Sequence, residues 1–518
     1  MKVKQICMMV LLWLGVIPAA QAQTFDKLWK EVEQAEKKSL PKTVIKLTDE
    51  IYQKGEKEKN SPQMLKAYAW RMKYREVLNP DSLYAGLKGL EQWVKQTDQP
   101  MDRAILHSLI AEIYANYAAD NQWQLRQRTE IVGQTPSTDI REWTANMFVE
   151  KVRTNVKEAL ADSVLLLKTS SRDYIPFVEL GKTSEYYHHD LYHLLASRGI
   201  DALLQVERLG SGHAETNAVN PVKQDIIAIY GNMLSAYKAA GLKEGYVLTA
   251  LNYLEWRRGA ERYIRPLQVK GEASVLTDDT YLKALNTLKS KYASEPICAE
   301  VYLVQARYAI ERQQQVDALQ LCDEAIRLYP GYDRINALKN LREEILAPYL
   351  NVYAADQAFP NEEIELRASH KNLDGFTVRI YQAKKLIKEQ HYSVIRPEDY
   401  RTRDTVYTFK VPELGAYVMR IIPDIRAKRD SESKFDVTRF KVLTCRLPEK
   451  QYQVVTLDGQ TGHPISNAKV TMYSNDEKVL QEFTTDKDGK VVFPWKSEYR
   501  YLKASKGTDT AMPKQGVY

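Results

Sequence analysis

Three histidines and one aspartate fall within the segment His188–His193, and this is the part of the sequence that most resembles a metal site. On a helix, His189 and His193 would share one face because they are four residues apart. Two such histidines can hold zinc when a third ligand and an open position exist. No glutamate stands between them, as it would in the HExxH motif. We favour a role for Asp190 as a helix cap, and on this interpretation no metal or other cofactor is bound. The alternative is a metal site with His189 and His193 as ligands.

The segment Asp486-Lys487-Asp488-Gly489 matches the start of a calcium-binding loop. The remaining ligands and the distal glutamate of such a loop are absent, so the segment predicts a β-hairpin turn. The sequence also has no G-x-S-x-G motif, no glycine-rich phosphate loop and only 8 scattered histidines. We therefore expect no catalytic residues, and we predict that the chain is not an enzyme.

The four cysteines do not form a disulfide framework. Cys7 lies in an N-terminal targeting segment, which leaves the widely spaced Cys298, Cys322 and Cys445. Cys298 and Cys322 could face each other on paired helices and form a disulfide. The alternative, which we favour, is that they are small buried apolar residues.

The first residues have the features of a secretion signal. Lys2 and Lys4 precede an apolar run over residues 6–19, and a small-x-small site follows. This pattern predicts cleavage between Ala22 and Gln23, with an uncleaved membrane anchor as the alternative. No later stretch is long and apolar enough to span a bilayer. We expect export to the periplasm or cell envelope of a Gram-negative bacterium.

The bulk composition is that of a globular protein of about three domains. The chain has 518 residues, of which 44% are hydrophobic and 27% charged. Its formal net charge of +7 is spread over segments of mixed sign. No long lysine or arginine tract is present, so we expect protein partners and no nucleic acid.

Residues 23–348 have the apolar periodicity of short helices separated by short loops. Such alternation predicts helical hairpins stacked as repeats. The clearest repeat covers Ala299–Pro330, where small residues such as Ala306 and Ala318 allow close helix approach. Its second helix and final proline match the tetratricopeptide pattern, so we predict a TPR-like helical repeat domain.

After Pro348 the apolar residues alternate with period two, and Asp-Gly and Leu-Gly pairs mark turns. We predict two β-sandwich domains of the Ig-like kind, the first over residues 349–449 and the second over residues 450–518. The second is expected to be incomplete. The fold class is therefore multidomain, with helices first and β-sandwiches after them.

The second β domain carries a compact motif, a T-G-x-P-I entry followed by an alternating strand and then a T-T-D-x-D-G-x-x-x-F segment. Its residues are Thr461, Gly462, Pro464, Ala468, Val470, Tyr473, Thr485, Asp486, Asp488, Gly489 and Phe493. Together with the helical region and the preceding β segment Val352–Tyr381, this motif resembles the bacterial alpha-2-macroglobulin family, of the type found in Bacteroidetes. The resemblance covers the N-terminal part of that family, namely its helical region and its first macroglobulin domains.

The resemblance implies a non-enzymatic exported scaffold whose family role is endopeptidase inhibition. The family's thioester joins the cysteine and glutamine of a Cys-x-Glu-Gln run. Here the corresponding runs at Cys298 and Cys322 lack the glutamine, and no bait segment is visible. We therefore expect a truncated member without thioester or bait, with proteases or envelope proteins as partners. The alternative is a periplasmic interaction module built from TPR-like repeats and Ig-like spacers.

Overall fold

The computed structural model describes residues 17–129, 137, 139–207, 209, 220–261, 278–410, 413–425 and 430–512. The chain divides into two compact units, Met1–Val301 and Tyr302–Tyr518. In the described part of the chain, no helix is both long enough and apolar enough to cross a membrane. Most of the predicted signal segment, residues 1–16, lies outside the described residues, whereas the backbone of Ile17–Lys37 is helical.

Helices occupy the chain as far as residue 346, and strands follow, which confirms the predicted order. The α-helices are Ile17–Lys37, Pro41–Glu58, Ser61–Leu78, Ser82–Gln96, Pro100–Asp120, Gln122–Arg126, Ala145–Ala159, Ser163–Lys168, Leu191–Glu207, Pro221–Ala240, Lys243–Glu261, Asp278–Lys291, Cys298–Glu311, Gln315–Leu328 and Asn336–Leu346. Short 3₁₀ helices cover Ile140–Glu142, Ser171–Tyr174 and Lys182–Tyr187.

Local sequence signals fix where several helices begin. Pro41, Pro100 and Pro221 each lie in a first turn, where the missing N–H costs no hydrogen bond. The side chain of Asn220 accepts from the backbone N–H of Val222 at 2.9 Å, so it caps the helix that follows. These helix starts therefore follow from residue type.

The core of the first unit forms where the helices pack through aromatic and small side chains. The rings of Tyr114 and Trp143 stack with centroids 5.3 Å apart, and Phe148 lies 5.2 Å from Trp143. Phe148 and Ala115 are fully buried. Burial of one such aromatic side chain contributes about 1.5–3 kcal/mol, so this cluster is a main source of stability for the unit.

The second unit contains fifteen described strands. They are β1 Tyr349–Ala354, β2 Gln357–Ala358, β3 Glu363–Lys371, β4 Gly375–Gln382, β5 Lys385–Ser393, β6 Arg403–Lys410, β7 Gly415–Pro423, β8 Ser431–Val437, β9 Phe440–Leu447, β10 Gln451–Asp458, β11 Lys469–Tyr473, β12 Val479–Thr484, β13 Lys490–Pro494, β14 Tyr501–Lys506 and β15 Asp509–Ala511. They form four sheets in the orders β1-β3-β6, β2-β8-β7-β4-β5, β13-β10-β9 and β12-β11-β14-β15.

The first two sheets enclose one core and form the first sandwich. Alternate residues of β3 and β4, including Leu366 and Phe376, point into this core and are buried. Tyr417 near the start of β7 is also buried, and its hydroxyl donates to the carbonyl of Glu413 at 2.8 Å. A tyrosine that bonds back to nearby upstream backbone in this way is a hallmark of Ig-like sandwiches.

The other two sheets form a second sandwich around Val454, Val470, Phe493 and Leu502. We predicted that this sandwich is incomplete, and its incompleteness stays a prediction. Seven described strands contribute to the two sheets, which is the strand number of a constant-type Ig domain. The later strands β14 and β15 contribute buried side chains to this core. They cover core residues that the motif strands alone would leave exposed.

The change from the first to the second sandwich falls at Thr438–Arg439, not at residues 449–450 as predicted. Strand β9 pairs along its whole length with β10, so the predicted boundary would cut this sheet in two. Two hydrogen bonds to the buried side chain of Asp509 hold the crossing point. Thr438 Oγ1 donates to Asp509 Oδ1 at 2.5 Å, and the backbone N–H of Arg439 donates to Oδ2 at 3.1 Å.

A glycine allows the two sandwiches to approach closely near this crossing. A Cβ atom at Gly459 would lie 2.0 Å from a ring carbon of Phe359 in the first sandwich. The backbone N–H of Gly459 donates to the carbonyl of Arg439 at 2.7 Å. Gln357 also donates from Nε2 to the carbonyl of Phe440 at 2.7 Å. Residues of both sandwiches therefore form hydrogen bonds at the crossing point.

Replacing Asp509 by alanine tests the importance of this crossing. The change leaves the Thr438 hydroxyl and the Arg439 N–H without their acceptor, and a buried unsatisfied donor costs about 1–3 kcal/mol. We expect the free energy of unfolding of the second unit, measured by urea denaturation, to fall by that order. The control Asp476→Ala removes an exposed aspartate of the same unit and should change little. Equal effects of the two changes would contradict the proposed role of Asp509.

Candidate functional site

The histidine segment does not form the helix face that its spacing predicted. His188 and His189 have positive φ angles of 49° and 55°, and the helix begins only at Leu191. His189 therefore lies outside the helix that carries His193. The reason is the cap, because Asp190 Oδ1 accepts from the backbone N–H of His193 at 2.6 Å. Asp190 is a helix cap, as predicted, and the shared histidine face was wrong.

Both ring nitrogens of His189 are within hydrogen-bond distance of protein atoms. Nδ1 is 2.9 Å from Ser184 Oγ, and Nε2 is 2.6 Å from a guanidinium nitrogen of Arg172. A guanidinium at this distance repels a metal cation. In the described ranges, no three or more His, Cys, Asp or Glu side chains are grouped so that they could hold a metal ion.

His193 and Asp190 are instead placed among aromatic rings. The His193 ring stacks on Tyr187 with centroids 3.4 Å apart, and Tyr237 lies 6.4 Å from it. Burial lowers the pKa of His193 to about 4 and raises the pKa of Asp190 to about 6. Both shifts have the same cause, since desolvation favours the neutral form of each group. Backbone N–H groups of Tyr192 and His193 oppose the shift of Asp190.

The cysteines fit a packing role. Cys298 and Cys322 are buried, and Cys445 is exposed. The thiol of Cys298 lies 3.6 Å from the carbonyl of Lys289, and burial raises the pKa of Cys322 to about 11. A thiol with a raised pKa is a poor nucleophile. The burial of both residues agrees with the prediction that they are small buried apolar residues.

The motif residues of the second sandwich build its corners. Asp458 Oδ1 accepts from the backbone N–H of Thr461 at 2.8 Å and from its hydroxyl at 2.9 Å. These bonds lower the pKa of the Asp458 carboxyl. Gly462 follows with a φ of +72°, a conformation that glycine adopts without strain. The T-G pair therefore closes a turn after β10.

The second half of the motif forms a turn between sheets, so the predicted hairpin was wrong. Strand β12 pairs with β11, whereas β13 pairs with β10 of the opposite sheet. Asp486 Oδ1 caps the turn by accepting from the backbone N–H of Asp488 at 2.9 Å and of Lys490 at 2.8 Å. Thr485 Oγ1 accepts from the N–H of Ala468 and donates to the carbonyl of Ile465, which ties the turn to the T-G-x-P-I segment.

Gly489 is the tightest point of this corner. Its φ is +69°, and an added Cβ would lie 2.4 Å from the carbonyl oxygen of Thr456. The Thr456 N–H donates to the Gly489 carbonyl at 2.8 Å. The polar motif side chains with described hydrogen bonds, Thr461, Thr485 and Asp486, therefore bond to other groups of the same domain. Ala468, Val470 and Phe493 are buried in its core, and the motif has a structural role.

A cavity in the first unit was not predicted from the sequence. It has a volume of about 440 Å³ and lies between the helices Ser61–Leu78, Pro100–Asp120 and Leu191–Glu207 and the non-helical segment 176–179. Nine of its thirteen lining residues are apolar, and Glu112, Glu179 and Arg198 are its charged residues. The only local signal was a non-helical stretch between apolar helices, because the lining residues are far apart in the sequence.

No family model and no curated protein matches this chain. Solved structures of Escherichia coli alpha-2-macroglobulin are similar to part of it. A fragment spanning domains MG0-NIE-MG1 has 14% identity and a TM-score of 0.27, over 32% of this chain and 63% of that one. A fragment spanning NIE-MG1 has 14% identity and a TM-score of 0.26, over 32% and 96%. The CARDB domain of a Pyrococcus furiosus protein has 13% identity and a TM-score of 0.14, over 18% and 88%.

The opposite pKa shifts of Asp190 and His193 predict opposing effects of pH on stability. The folded pKa of Asp190 lies above its unfolded value, so the stability it contributes at low pH is lost as pH rises from about 4 to about 6. The folded pKa of His193 lies below its unfolded value, so its contribution is lost as pH falls from 6.5 to about 4. Between about pH 4 and pH 6 the two effects oppose each other.

Single substitutions should separate these two effects. Relative to the wild type, Asp190→Asn should lose stability as pH falls through this window, and His193→Phe should lose stability as pH rises through it. Each difference should approach about 1.4 kcal/mol per pH unit at most. The measurement is the free energy of unfolding at several pH values. Variants that parallel the wild type over the whole window would disprove the assigned shifts.

Two glycines with similar φ angles allow a test of the corner. Gly489→Ala must adopt a positive φ and also place its Cβ against the Thr456 carbonyl, whereas Gly507→Ala has a φ of +63° and open space. The left-handed conformation alone costs about 1–2 kcal/mol. We expect Gly489→Ala to lower the melting temperature more than Gly507→Ala. Similar losses for both variants would show that the close contact is unimportant.

Proposed function

We propose that this chain is a non-enzymatic, exported scaffold of the alpha-2-macroglobulin type, with endopeptidase inhibition as the family role. The observation that carries the proposal is the motif between Thr461 and Phe493. Its polar residues close two corners of a β-sandwich, and its apolar residues fill the core. A motif whose threonines and Asp486 tie turns together, and whose apolar residues fill the core, is typical of a scaffold.

Further support comes from the order of the elements. Helices precede two sandwiches, as in the bacterial members that the sequence resembles. The Cys-x-Glu-Gln run is absent, and the two cysteines in similar runs are buried in helices. The proposal is therefore a scaffold without a thioester or a bait segment, which would retain a protease only by non-covalent contact. Export to the periplasm or cell envelope rests on the N-terminal signal pattern alone.

The test is to mix the purified chain with serine, cysteine and metalloproteases in turn. We expect cleavage of a large protein substrate to fall while cleavage of a short peptide substrate continues, because a retained protease is shielded only from large molecules. No adduct should survive denaturing electrophoresis, because no thioester is available to acylate the protease. If no protease is inhibited or retained, the chain alone is not an inhibitor.

The second candidate function is a protein interaction module, with TPR-like helices that bind a partner and Ig-like domains as spacers. Large apolar side chains exposed on the first unit favour it. Trp123 is 74% exposed and Val77 is 66% exposed. Co-purification from envelope extracts separates the candidates. A stable partner that is not a protease supports the interaction module, whereas a captured protease supports the inhibitory scaffold.

A further inference from the structure

The cavity of the first unit has the size and lining of a binding site. At about 440 Å³ it falls within the usual range for ligand pockets, about 300–1,000 Å³. Trp70, Leu109, Phe177 and Leu194 are among its apolar lining residues and are all partly exposed. An apolar pocket that remains accessible to water is stabilised by an apolar group that displaces that water.

Buried hydrogen bonds hold the non-helical wall of the cavity in place. The hydroxyl of Tyr174 donates to Asp102 Oδ1 at 2.8 Å, and Ser61 Oγ donates to Oδ2 at 2.5 Å. The backbone N–H of Val178 in turn donates to the carbonyl of Tyr174 at 2.9 Å. Asp102 therefore anchors the segment that carries Phe177 and Glu179 to two helices, and the pocket is preformed.

The charged residues at the cavity determine which charge a bound partner should carry. Arg198 donates to both carboxylate oxygens of Glu112, at 2.9 and 2.7 Å, so these two charges compensate each other. Glu179 is exposed and forms no ion pair within 4 Å in the part of the chain that the structure describes. The lining thus carries one uncompensated negative charge beside an apolar pocket. A basic residue complements that charge.

We propose that this cavity binds a bulky apolar side chain of another polypeptide, at a position where a neighbouring residue of that polypeptide is basic. The apolar side chain enters between Leu109, Phe177 and Leu194, and the basic residue pairs with Glu179. The site is distinct from the motif corners of the second unit. It does not depend on whether the chain inhibits proteases.

Three fluorescein-labelled peptides with blocked ends test the proposal, with the central sequences Lys-Trp-Lys, Lys-Ala-Lys and Glu-Trp-Glu. The full chain is titrated into each peptide up to about 0.5 mM, and binding is followed by fluorescence anisotropy. We expect saturable binding of the Lys-Trp-Lys peptide alone. Equal binding of the Glu-Trp-Glu peptide, or no binding of any peptide, would overturn the proposal.

Protein variants locate the site. Leu194→Trp fills the cavity and should abolish binding, provided that circular dichroism shows an unchanged helix content. Glu179→Gln should weaken binding of the Lys-Trp-Lys peptide by about two- to fivefold, as expected for an exposed charge pair. The control Glu158→Gln removes an exposed carboxylate outside the cavity and should have no effect. Unchanged binding in both Leu194→Trp and Glu179→Gln would place the peptide elsewhere and reject this site.

Discussion

The second unit depends on how one buried carboxylate satisfies the backbone where its two sandwiches meet. Asp509, on the short strand β15, accepts from the hydroxyl of Thr438 and from the N–H of Arg439. Without it, the buried Thr438 hydroxyl and the partly buried Arg439 N–H would lose their acceptor, which is costly. A residue late in the sequence thus fixes the path of a segment seventy positions earlier.

Side chains also satisfy backbone groups at the corners within the second sandwich. Thr456 and Thr485 use their hydroxyls on backbone groups of neighbouring turns, and Asp458 and Asp486 cap the turns beside them. These side chains do for irregular backbone what ladder hydrogen bonds do for strands. A sequence motif in such a place reflects the demands of folding. It indicates architecture more directly than it indicates activity.

Much of the fold could be predicted because helix and strand periods, prolines and Asp-Gly turns act locally. The shared face of His189 and His193 failed for a local reason, the Asp190 cap, whereas the other misplaced features required non-local information. The Asp488–Gly489 pair correctly predicted a turn, but pairing partners alone decide whether the strands on either side belong to one sheet. Strand β9 alternates like its predecessors, so its sequence does not show that it pairs forward with β10. The cavity beside Phe177 could not be predicted from the sequence, because its lining residues lie far apart in the chain, from Ala69 to Arg198.

The contact between Gly459 and Phe359 leaves no free space between the two sandwiches at this point. Backbone lies directly against an aromatic ring there, with no side chain between them to deform. A force that presses the two sandwiches together on this side meets hard repulsion at once, whereas a force that separates them must first stretch the hydrogen bonds at the crossing. The close contact therefore limits how near the two sandwiches can approach on this side, and the hydrogen bonds limit how far they can separate.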